Sequence, residues 1–332
     1  MPDISKINAL DIANVSKVDG LAKASILDID GVAVPAGWTP LLDTYGSAVA
    51  AYGVRLLRTA YTGAAMRIRR DSDDVEADVE FDSNNEVSLT SAISNASSGT
   101  YTDLADFVDH TGTPTDAYVV SWKDQSGNGR DAVQSTSGGS TLQPQIYYAA
   151  AATNPTVSAG LFKVNGKPSL TLQHVIASGA GFDEITGVSA TQPYTWMLVG
   201  SAYSARTTGT YSHSNLPFLL LNNEGGVETA SFVGGGSATL TTVMDSSQIV
   251  QGIFAAAADS SNIECYGRTN IAEETQTTTS TVTSFAASYL MNRRAADPSD
   301  WIMSEWILWP SDQLASNKAA IRDAVNDYYS IF

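Results

Sequence analysis

The sequence predicts an all-β body of the β-sandwich or jelly-roll type, and three observations support this prediction. Short apolar runs recur from residue 117 to residue 309, separated by loops rich in Ser, Thr and Gly. Apolar and charged residues alternate strictly in 65–70 and in 75–81, as in strands with one wet face. Helical spacing is rare before the C-terminal segment. Many short strands with turn signals between them are typical of antiparallel sandwiches.

Composition limits the partners that the protein can have. The 332 residues include 18 Lys and Arg against 35 Asp and Glu, which gives a formal net charge of −17. Nucleic acids and anionic membranes are bound by clustered Lys and Arg, so neither is an expected partner. Hydrophobic residues make up 43% of the chain, enough for a buried core at this length. We therefore expect a globular domain.

Metal centres, disulfides and membrane spans are not expected. Cys265 is the only cysteine, which excludes an intrachain disulfide and zinc sites with two or more thiolates. His110, His174 and His213 are far apart in the sequence, which argues against a histidine metal centre. No apolar run reaches the roughly 18 residues of a membrane span, and no export signal is recognisable. We expect a protein without a cofactor that is made in a cytoplasm.

An eleven-residue repeat occupies residues 3–35, where successive units read DISKINALDIA, NVSKVDGLAKA and SILDIDGVAVP. Each unit predicts a short strand, a turn of the Asp-Gly kind and a return strand. A unit this short cannot bury its apolar side alone, so it must stack on neighbours or on other chains. The apolar positions expected to mediate this oligomerisation are Ile4, Ile7, Leu10, Val15, Val18, Leu21, Ile26, Ile29 and Val32.

We therefore expect residues 1–36 to form a repeat stalk or particle-docking segment, assembled as a homotrimer. A helix of the kind found in right-handed coiled coils is the alternative that an eleven-residue period leaves open. Gly20, Gly31 and the β-branched residues favour strands. A segment with two prolines and a glycine, 35–40, marks the boundary before a body that spans 41–332.

The body is expected to begin with a helix and a hairpin. Val49, Tyr52 and Leu56 have helical spacing, which predicts a helix within 47–57. The two alternating segments predict a hairpin in which paired residue numbers sum to 145, because a slip by one residue would place every charge in the core.

One face of that hairpin is strongly charged. In the predicted register Arg69 faces Glu76, and Arg67 faces Asp78. The second strand carries a row of five carboxylates, which are Asp74, Glu76, Asp78, Glu80 and Asp82. Such a row could be a calcium site or a catalytic acid pair, but alternate residues of a strand lie roughly 6.5 to 7 Å apart. A solvated face paired with arginines is the preferred interpretation, and no metal ligand is assigned.

Nine apolar runs predict the remaining strands. They are 117–122, 145–150, 169–172, 194–202, 217–221, 249–257, 262–266, 288–291 and 302–309. Ser311 is the predicted cap of a terminal helix whose packed stripe includes Leu314, Val325 and Tyr328.

A loop rich in glycine and polar residues follows the first of these strands, where residues 121–134 read SWKDQSGNGRDAVQ. Glycine and asparagine adopt positive φ readily, and short polar side chains bind loop amides. The residues expected to shape the loop are Trp122, Asp124, Gly127, Asn128 and Gly129. This segment resembles the W-x-D-Q-S-G-N-G-x-x-A loop of concanavalin A-like jelly-roll domains of the laminin G type.

The resemblance extends over residues 41–332. The other segments that resemble this family, in the same order, are 51–74, 143–146, 165–172, 192–200 and 304–332. The Tyr-Thr-Gly and Arg-x-Arg-Arg-x-Ser-x-Asp elements are similar to domains of bacteriophage virion proteins and to the catalytic domain of α-L-arabinofuranosidases. The resemblance implies a concanavalin A-like jelly-roll sandwich with an N-terminal β-repeat stalk and a C-terminal helix.

The N-terminal repeats resemble those of structural proteins from tailed phages. We therefore expect a virion structural protein, such as a fibre, an appendage or a capsid decoration, assembled in a bacterial host cytoplasm and without enzyme activity. Its expected partners are its own copies as a homotrimer, other virion proteins through residues 1–36, and a cell-surface glycan. The residues expected to contact a glycan are Tyr203, Tyr211, His213, Asn222, Asn223 and Glu224.

The alternative is a glycoside hydrolase of arabinofuranosidase type that acts on polysaccharide. Such an enzyme needs two carboxylates, for which Glu224 and Asp297 are candidates, with Glu228 as a further one. The cysteine pair that the family has near its nucleophile is absent, because residues 219–224 read LLLNNE. A third hypothesis is a decoration protein that binds no ligand.

Overall fold

The computed structural model divides the chain into two compact units, Met1–Thr39 and Pro40–Phe332. The structure describes residues 39–134, 142–149, 152–153, 156–157, 159–171, 181–182, 185–202, 209–211, 218–224, 227–233, 237–243, 250–259, 261–279, 283–286, 290 and 301–332, together with six two-residue strands before residue 34.

The first unit contains three short antiparallel hairpins, one in each eleven-residue repeat. Their strands are β1 (Lys6–Ile7), β2 (Leu10–Asp11), β3 (Lys17–Val18), β4 (Leu21–Ala22), β5 (Asp28–Ile29) and β6 (Val32–Ala33). In the first hairpin Ile7 pairs with Leu10, and the equivalent positions pair in the other two. The strand–turn–strand prediction is therefore confirmed against the helical alternative for these residues.

The second unit is built mainly from antiparallel strands. Its strands before residue 172 are β7 (Ala50–Gly53), β8 (Met66–Arg70), β9 (Glu76–Val79), β10 (Ile93–Ser94), β11 (Ala117–Trp122), β12 (Ala132–Val133), β13 (Gln145–Tyr148), β14 (Ala152–Thr153), β15 (Thr156–Val157), β16 (Gly160–Leu161), β17 (Lys163–Val164), β18 (Lys167–Pro168) and β19 (Leu170–Thr171). The later strands are β20 (Ser189–Thr191), β21 (Tyr194–Ala202), β22 (Gly209–Tyr211), β23 (Phe218–Glu224), β24 (Val227–Val233), β25 (Ser237–Leu240), β26 (Val250–Ala258), β27 (Asn262–Thr269), β28 (Glu273–Thr279), β29 (Ser284–Ala286) and β30 (Trp301–Trp309). The helices are α1 (Leu41–Tyr45), α2 (Leu104–Val108) and α3 (Gln313–Tyr329).

Fourteen of the described strands join into one large sheet. Its main path runs β10-β9-β8-β11-β13-β19-β30-β21-β26-β27-β28, with β12, β16 and β7 paired to β11, β13 and β30. A separate four-stranded sheet has the order β22-β23-β24-β25. The prediction of an all-β body followed by a C-terminal helix is confirmed. None of the helices that the structure describes has both the length and the apolar character that a membrane crossing requires.

The register of the predicted hairpin is confirmed. Strands β8 and β9 pair Arg69 with Glu76 and Arg67 with Asp78, and they pair Ile68 with Ala77 on the other face. The alternation of charged and apolar residues determines this pairing, because a shift by one residue would turn Arg67 and Arg69 toward the apolar core that holds Ile68 and Ala77. The charged face is not fully solvated as predicted, since Arg69 is 6% exposed.

Two apolar cores lie on opposite faces of the strands at the centre of the large sheet. In β21, Trp196 and Leu198 belong to the first core, whereas Met197 and Val199 belong to the second. The second core is closed by the apolar stripe of α3, formed by Leu314, Ile321, Val325 and Tyr329. The central strands are apolar at successive positions because both of their faces are covered.

Two predictions about local structure are wrong. The segment predicted to be helical within 47–57 contains strand β7, which pairs with β30, and the nearby helix α1 lies earlier. All four residues of β7 are buried, so its apolar residues follow no period that distinguishes a strand from a helix. The cap of α3 is Asp312 and not Ser311, because the Asp312 carboxylate accepts a hydrogen bond from the Ala315 amide at 3.0 Å.

A buried ion pair connects both ends of the second unit. Arg55 Nε donates to Glu305 Oε1, Arg55 Nη2 lies 3.3 Å from Glu305 Oε2, and both side chains are fully buried. Tyr329 donates to Glu305 Oε1 at 2.9 Å, and the Arg55 guanidinium lies 4.4 Å from the ring centroid of Tyr328. Burial lowers the pKa of Arg55, but attraction to Glu305 outweighs it and the pKa lies above its ordinary value.

We predict that Arg55→Ala lowers the free energy of unfolding by about 3 to 5 kcal/mol, because Glu305 would remain buried without its counter-charge. Urea denaturation followed by tryptophan fluorescence measures this change. Arg322 pairs with Asp323 on the surface at 2.8 Å, so the matched control Arg322→Ala should cost about 0 to 1 kcal/mol. Equal losses in the two variants would show that the buried pair has no special role.

Candidate functional site

The loop after β11 holds its neighbours through one buried carboxylate. Asp124 Oδ1 accepts hydrogen bonds from the amides of Ala51 at 3.0 Å and Ser126 at 2.9 Å. Its Oδ2 accepts from the Ser126 hydroxyl at 2.8 Å and from the Arg130 amide at 3.0 Å. Four donors converge on a side chain that is 4% exposed, so this carboxylate ties the loop to strand β7.

The neighbouring side chains of the loop also bond to the backbone of β7 and its flanking residues. Gln125 accepts from the Leu57 amide at 2.7 Å and donates to the carbonyl of Gly53 at 3.1 Å. Trp122 Nε1 donates to the same carbonyl at 3.2 Å, and Asn128 Nδ2 donates to the Val49 carbonyl at 3.0 Å. The loop therefore acts as a structural clamp.

The glycines of the clamp are required by geometry. Gly127 and Gly129 have φ values of +90° and +69°, which L-residues with a Cβ rarely adopt. A Cβ at Gly127 would also lie 2.7 Å from Nη1 of Arg58. That nitrogen donates to the Ser126 carbonyl at 2.8 Å, so the arginine fills the space that a Cβ at Gly127 would need.

The carboxylates of β9 are paired with arginines. Arg67 bonds Glu76 at 2.8 Å and Asp78 at 3.0 Å, while Arg69 bonds Asp74 at 2.6 Å. Among the residues that the structure describes, no group of three or more His, Cys, Asp or Glu side chains is arranged to hold a metal ion. Arginine pairing therefore holds for Asp74, Glu76 and Asp78, whereas Glu80 accepts from the Ser94 hydroxyl and Asp82 from the Asn84 amide.

A groove of about 740 Å³ lies between residues 82–90 and 159–168. Glu86 on its wall accepts hydrogen bonds from Lys167 Nζ at 2.8 Å and from the Tyr328 hydroxyl at 2.6 Å. Burial and the adjacent Glu86 raise the pKa of Tyr328 above its ordinary range, so its hydroxyl remains a donor. The groove is thereby fastened to the C-terminal helix.

Four of the six residues predicted to contact a glycan lie in described strands, and two do not. Asn222, Asn223 and Glu224 end strand β23, and Tyr211 ends β22. Tyr203, His213 and the predicted acid Asp297 lie outside the described residues.

The strand register separates this set further. Asn223 pairs with Glu228, and Glu224 pairs with Val227. Directly paired residues share a face and successive residues alternate, so Glu224 and Glu228 belong to opposite faces of the ladder. Tyr211 pairs with Leu219, which lies on the face of Asn223 and four residues away from it. The backbone register therefore pairs neither of these two glutamates with the other.

Comparison with solved structures finds arabinofuranosidases. One is an arabinofuranosidase complexed with arabinofuranosyl-α-1,2-xylobiose, with 14% identity and a TM-score of 0.50. Two others are glycoside hydrolase family 54 α-L-arabinofuranosidases, one soaked with a cyclic sulfate inhibitor and one a glutamate-to-glutamine variant soaked with 4-nitrophenyl α-L-arabinofuranoside, each with 14% identity and a TM-score of 0.53. Each alignment covers 84% of this chain and 62% of the other, so this chain spans less than two thirds of their length.

These matches concern the fold. No protein-family profile matches the sequence, and no curated protein sequence matches it. The likeness to arabinofuranosidases that the sequence indicates is thus found again in the structure. The expectation that the chain is not an enzyme is contradicted, because the solved structures that share its fold are glycosidases.

We predict that Asp124→Ala lowers the free energy of unfolding by about 3 kcal/mol or more, because buried amide donors would lose their acceptor. Thermal and urea unfolding measure the effect. Asp259 also binds two amides, those of Ser261 at 3.0 Å and Asn262 at 2.9 Å, but on the exposed surface. Asp259→Ala is therefore the matched control, with an expected loss of about 1 kcal/mol; a similar loss in both variants would contradict the clamp.

Proposed function

We propose that residues 40–332 form a glycoside hydrolase of arabinofuranosidase type that acts on a polysaccharide. The observation that carries this proposal is the shared fold with arabinofuranosidases over 84% of the chain. We also propose that the antiparallel strands around the two cores form the concanavalin A-like jelly-roll sandwich that the sequence implies. One fold hosts many functions, so the proposal depends on the carboxylates at the site.

We assign Glu224 as one catalytic carboxylate. It is the last residue of β23, and catalytic residues often lie where a loop follows a strand, because the sheet fixes the backbone there. We do not assign Glu228 as its partner, because Glu228 pairs with Asn223 and not with Glu224. Asp297, the other residue predicted from sequence, is the proposed second carboxylate.

The chemistry needs these two groups in different states of protonation. A carboxylic acid donates its proton to the glycosidic oxygen as the bond to the sugar breaks. The other carboxylate either attacks the anomeric carbon or removes a proton from the attacking water. In the first route water then hydrolyses the glycosyl-enzyme ester, and the first group, now a base, accepts the proton of that water.

We predict that purified protein releases 4-nitrophenol from 4-nitrophenyl α-L-arabinofuranoside and that Glu224→Gln lowers kcat at least 100-fold, because loss of an acid–base group costs roughly 10² to 10⁴. Glu228→Gln is the matched control on the opposite face and should stay within twofold of the wild type. Absence of release by the wild-type protein from this substrate and from arabinose-containing polysaccharide would contradict the proposal.

A second candidate function concerns the first unit. We propose that residues 1–36 attach the hydrolase body to a phage particle or its fibre and assemble three chains. The three equally spaced hairpins, each closed by a pair of apolar residues such as Ile7 and Leu10, support this proposal. A two-stranded hairpin is marginally stable alone, so the repeats require further partners.

We predict that light scattering of the full chain gives three times the 35.0 kDa of one chain. Ile7→Asp, Val18→Asp and Ile29→Asp combined should give a monomer with an unchanged near-UV spectrum, because each charge occupies a position expected to be buried between chains. A monomeric wild type, or a triple variant that stays trimeric, would show that the repeats do not assemble the protein.

A further inference from the structure

A second concave site lies beside the charged residues of β9 and the loop that follows β11. It is a cavity of about 550 Å³, within the roughly 300 to 1,000 Å³ of small-molecule pockets. We call it the acidic pocket and define it by Tyr61, Asp78, Glu80, Asn95, Lys123 and Asp131, all of which line it. We propose that the acidic pocket binds a neutral sugar residue through its hydroxyl groups, at a site separate from Glu224.

The aromatic wall of the pocket is held in place. Tyr61 is partly buried, its hydroxyl donates to the Ala64 carbonyl at 2.7 Å, and its ring packs edge-on against Phe81 with a centroid distance of 6.3 Å. The hydroxyl hydrogen is used in this bond, so Tyr61 offers a ligand its ring and the lone pairs of its oxygen. An aromatic ring fixed beside polar groups suits a ligand that is apolar on its C–H face and polar at its edge.

Two of the carboxylates that define the pocket pair with cations and retain acceptor capacity. Asp131 binds Lys123 Nζ at 2.9 Å and the Asp124 amide at 3.0 Å. Asp78 binds Arg67 Nη1 at 3.0 Å and Asn95 Nδ2 at 2.9 Å. An ionised carboxylate offers about four lone-pair sites, so each of these groups can accept further hydrogen bonds from hydroxyl groups.

Glu80 provides the remaining acceptor. Within the described residues its side chain receives a hydrogen bond from the Ser94 hydroxyl at 2.5 Å. It follows β9 directly, and its amide still bonds the Ala92 carbonyl at 2.9 Å, so in extended backbone its Cα lies roughly 6.5 to 7 Å from that of Asp78. This spacing allows the two carboxylates to bind different hydroxyl groups of one sugar.

The electrostatics of the pocket disfavour anionic ligands. Burial, followed by the charges of Asp131, Asp124 and Glu80, raises the pKa of Tyr61 above its ordinary range, which indicates a negative potential that would repel a phosphate or carboxylate ligand. The described residues hold no group arranged to bind a metal ion. A neutral ligand with several hydroxyl groups meets both conditions and also uses the acceptors of Asp78, Glu80 and Asp131 and the ring of Tyr61.

The test is isothermal titration calorimetry of the full chain carrying Glu224→Gln, which prevents turnover. The probes are arabinofuranosyl-α-1,2-xylobiose, xylotetraose and maltotetraose, and the readouts are the affinity and the number of sites per chain. We expect at least one probe to bind, and we expect Tyr61→Ala or Glu80→Gln to remove one site or weaken it at least tenfold. Tyr61→Phe keeps the ring and should change the affinity less than threefold.

The matched control is Glu76→Gln, on the same strand face as Glu80 but outside the pocket, which should change the affinity less than twofold. The proposal is overturned if none of the three probes binds at millimolar concentration. It is also overturned if Tyr61→Ala and Glu80→Gln both bind the probe as tightly, and at as many sites, as the protein without these changes. Should Tyr61→Ala fail to fold by near-UV circular dichroism, Glu80→Gln decides alone. A wild type that hydrolyses no substrate but binds a probe in a Tyr61-dependent manner would refute the hydrolase and retain this site.

Discussion

The buried ion pair between Arg55 and Glu305 is the constraint on which the rest of the second unit depends. Glu305 lies on β30, the strand that pairs with β7, β19 and β21. Arg55 follows β7, and its carbonyl accepts a hydrogen bond from Gln125 of the clamp at 3.0 Å. Tyr329 binds the pair from α3. Two charges without water are stable only when their partners are complete, so the first strand, the central strand, the clamp and the terminal helix must all be in place together.

The acidity of the chain is distributed in a way that links stability to function. Carboxylates such as Asp124 serve the backbone, and others such as Glu76 offset arginines on a strand face. The acidic pocket combines both uses, because Asp78 and Asp131 are already compensated by cations and can still accept hydrogen bonds. The formal charge of −17 therefore says little about cationic ligands. Many of the carboxylates behind this charge accept hydrogen bonds within the protein.

Alternation predicted the register of strands with one buried face, and long apolar runs predicted the bounds of buried strands, but a short strand buried on both faces was mistaken for a helix. The strict alternation in β8 and β9 determined their register, and the predicted bounds of β11 and β21 match the structure, because turns and polar residues delimit them. Strand β7 was predicted as helix because all its residues are buried. The acidic pocket was missed because Tyr61 and Lys123 come from segments far apart in sequence, which only the pairing of β8 with β11 brings together. Short motifs indicate the fold shared with arabinofuranosidases. The missing cysteine pair favours a chain without enzyme activity, and the comparison with solved structures contradicts that expectation.

The pairing of β7 with β30 has a consequence for how the protein is made. The strand at residues 50–53 hydrogen-bonds to one at residues 301–309, so the chain must close a loop of most of its length before its central ladder exists. Contacts of such long sequence separation slow folding, because the entropy of loop closure is lost before the contacts form. During synthesis on the ribosome, β7 is made long before its partner β30. Until residues 301–309 have been synthesised, β7 lacks its partner strand, and unpaired apolar strands are prone to aggregation.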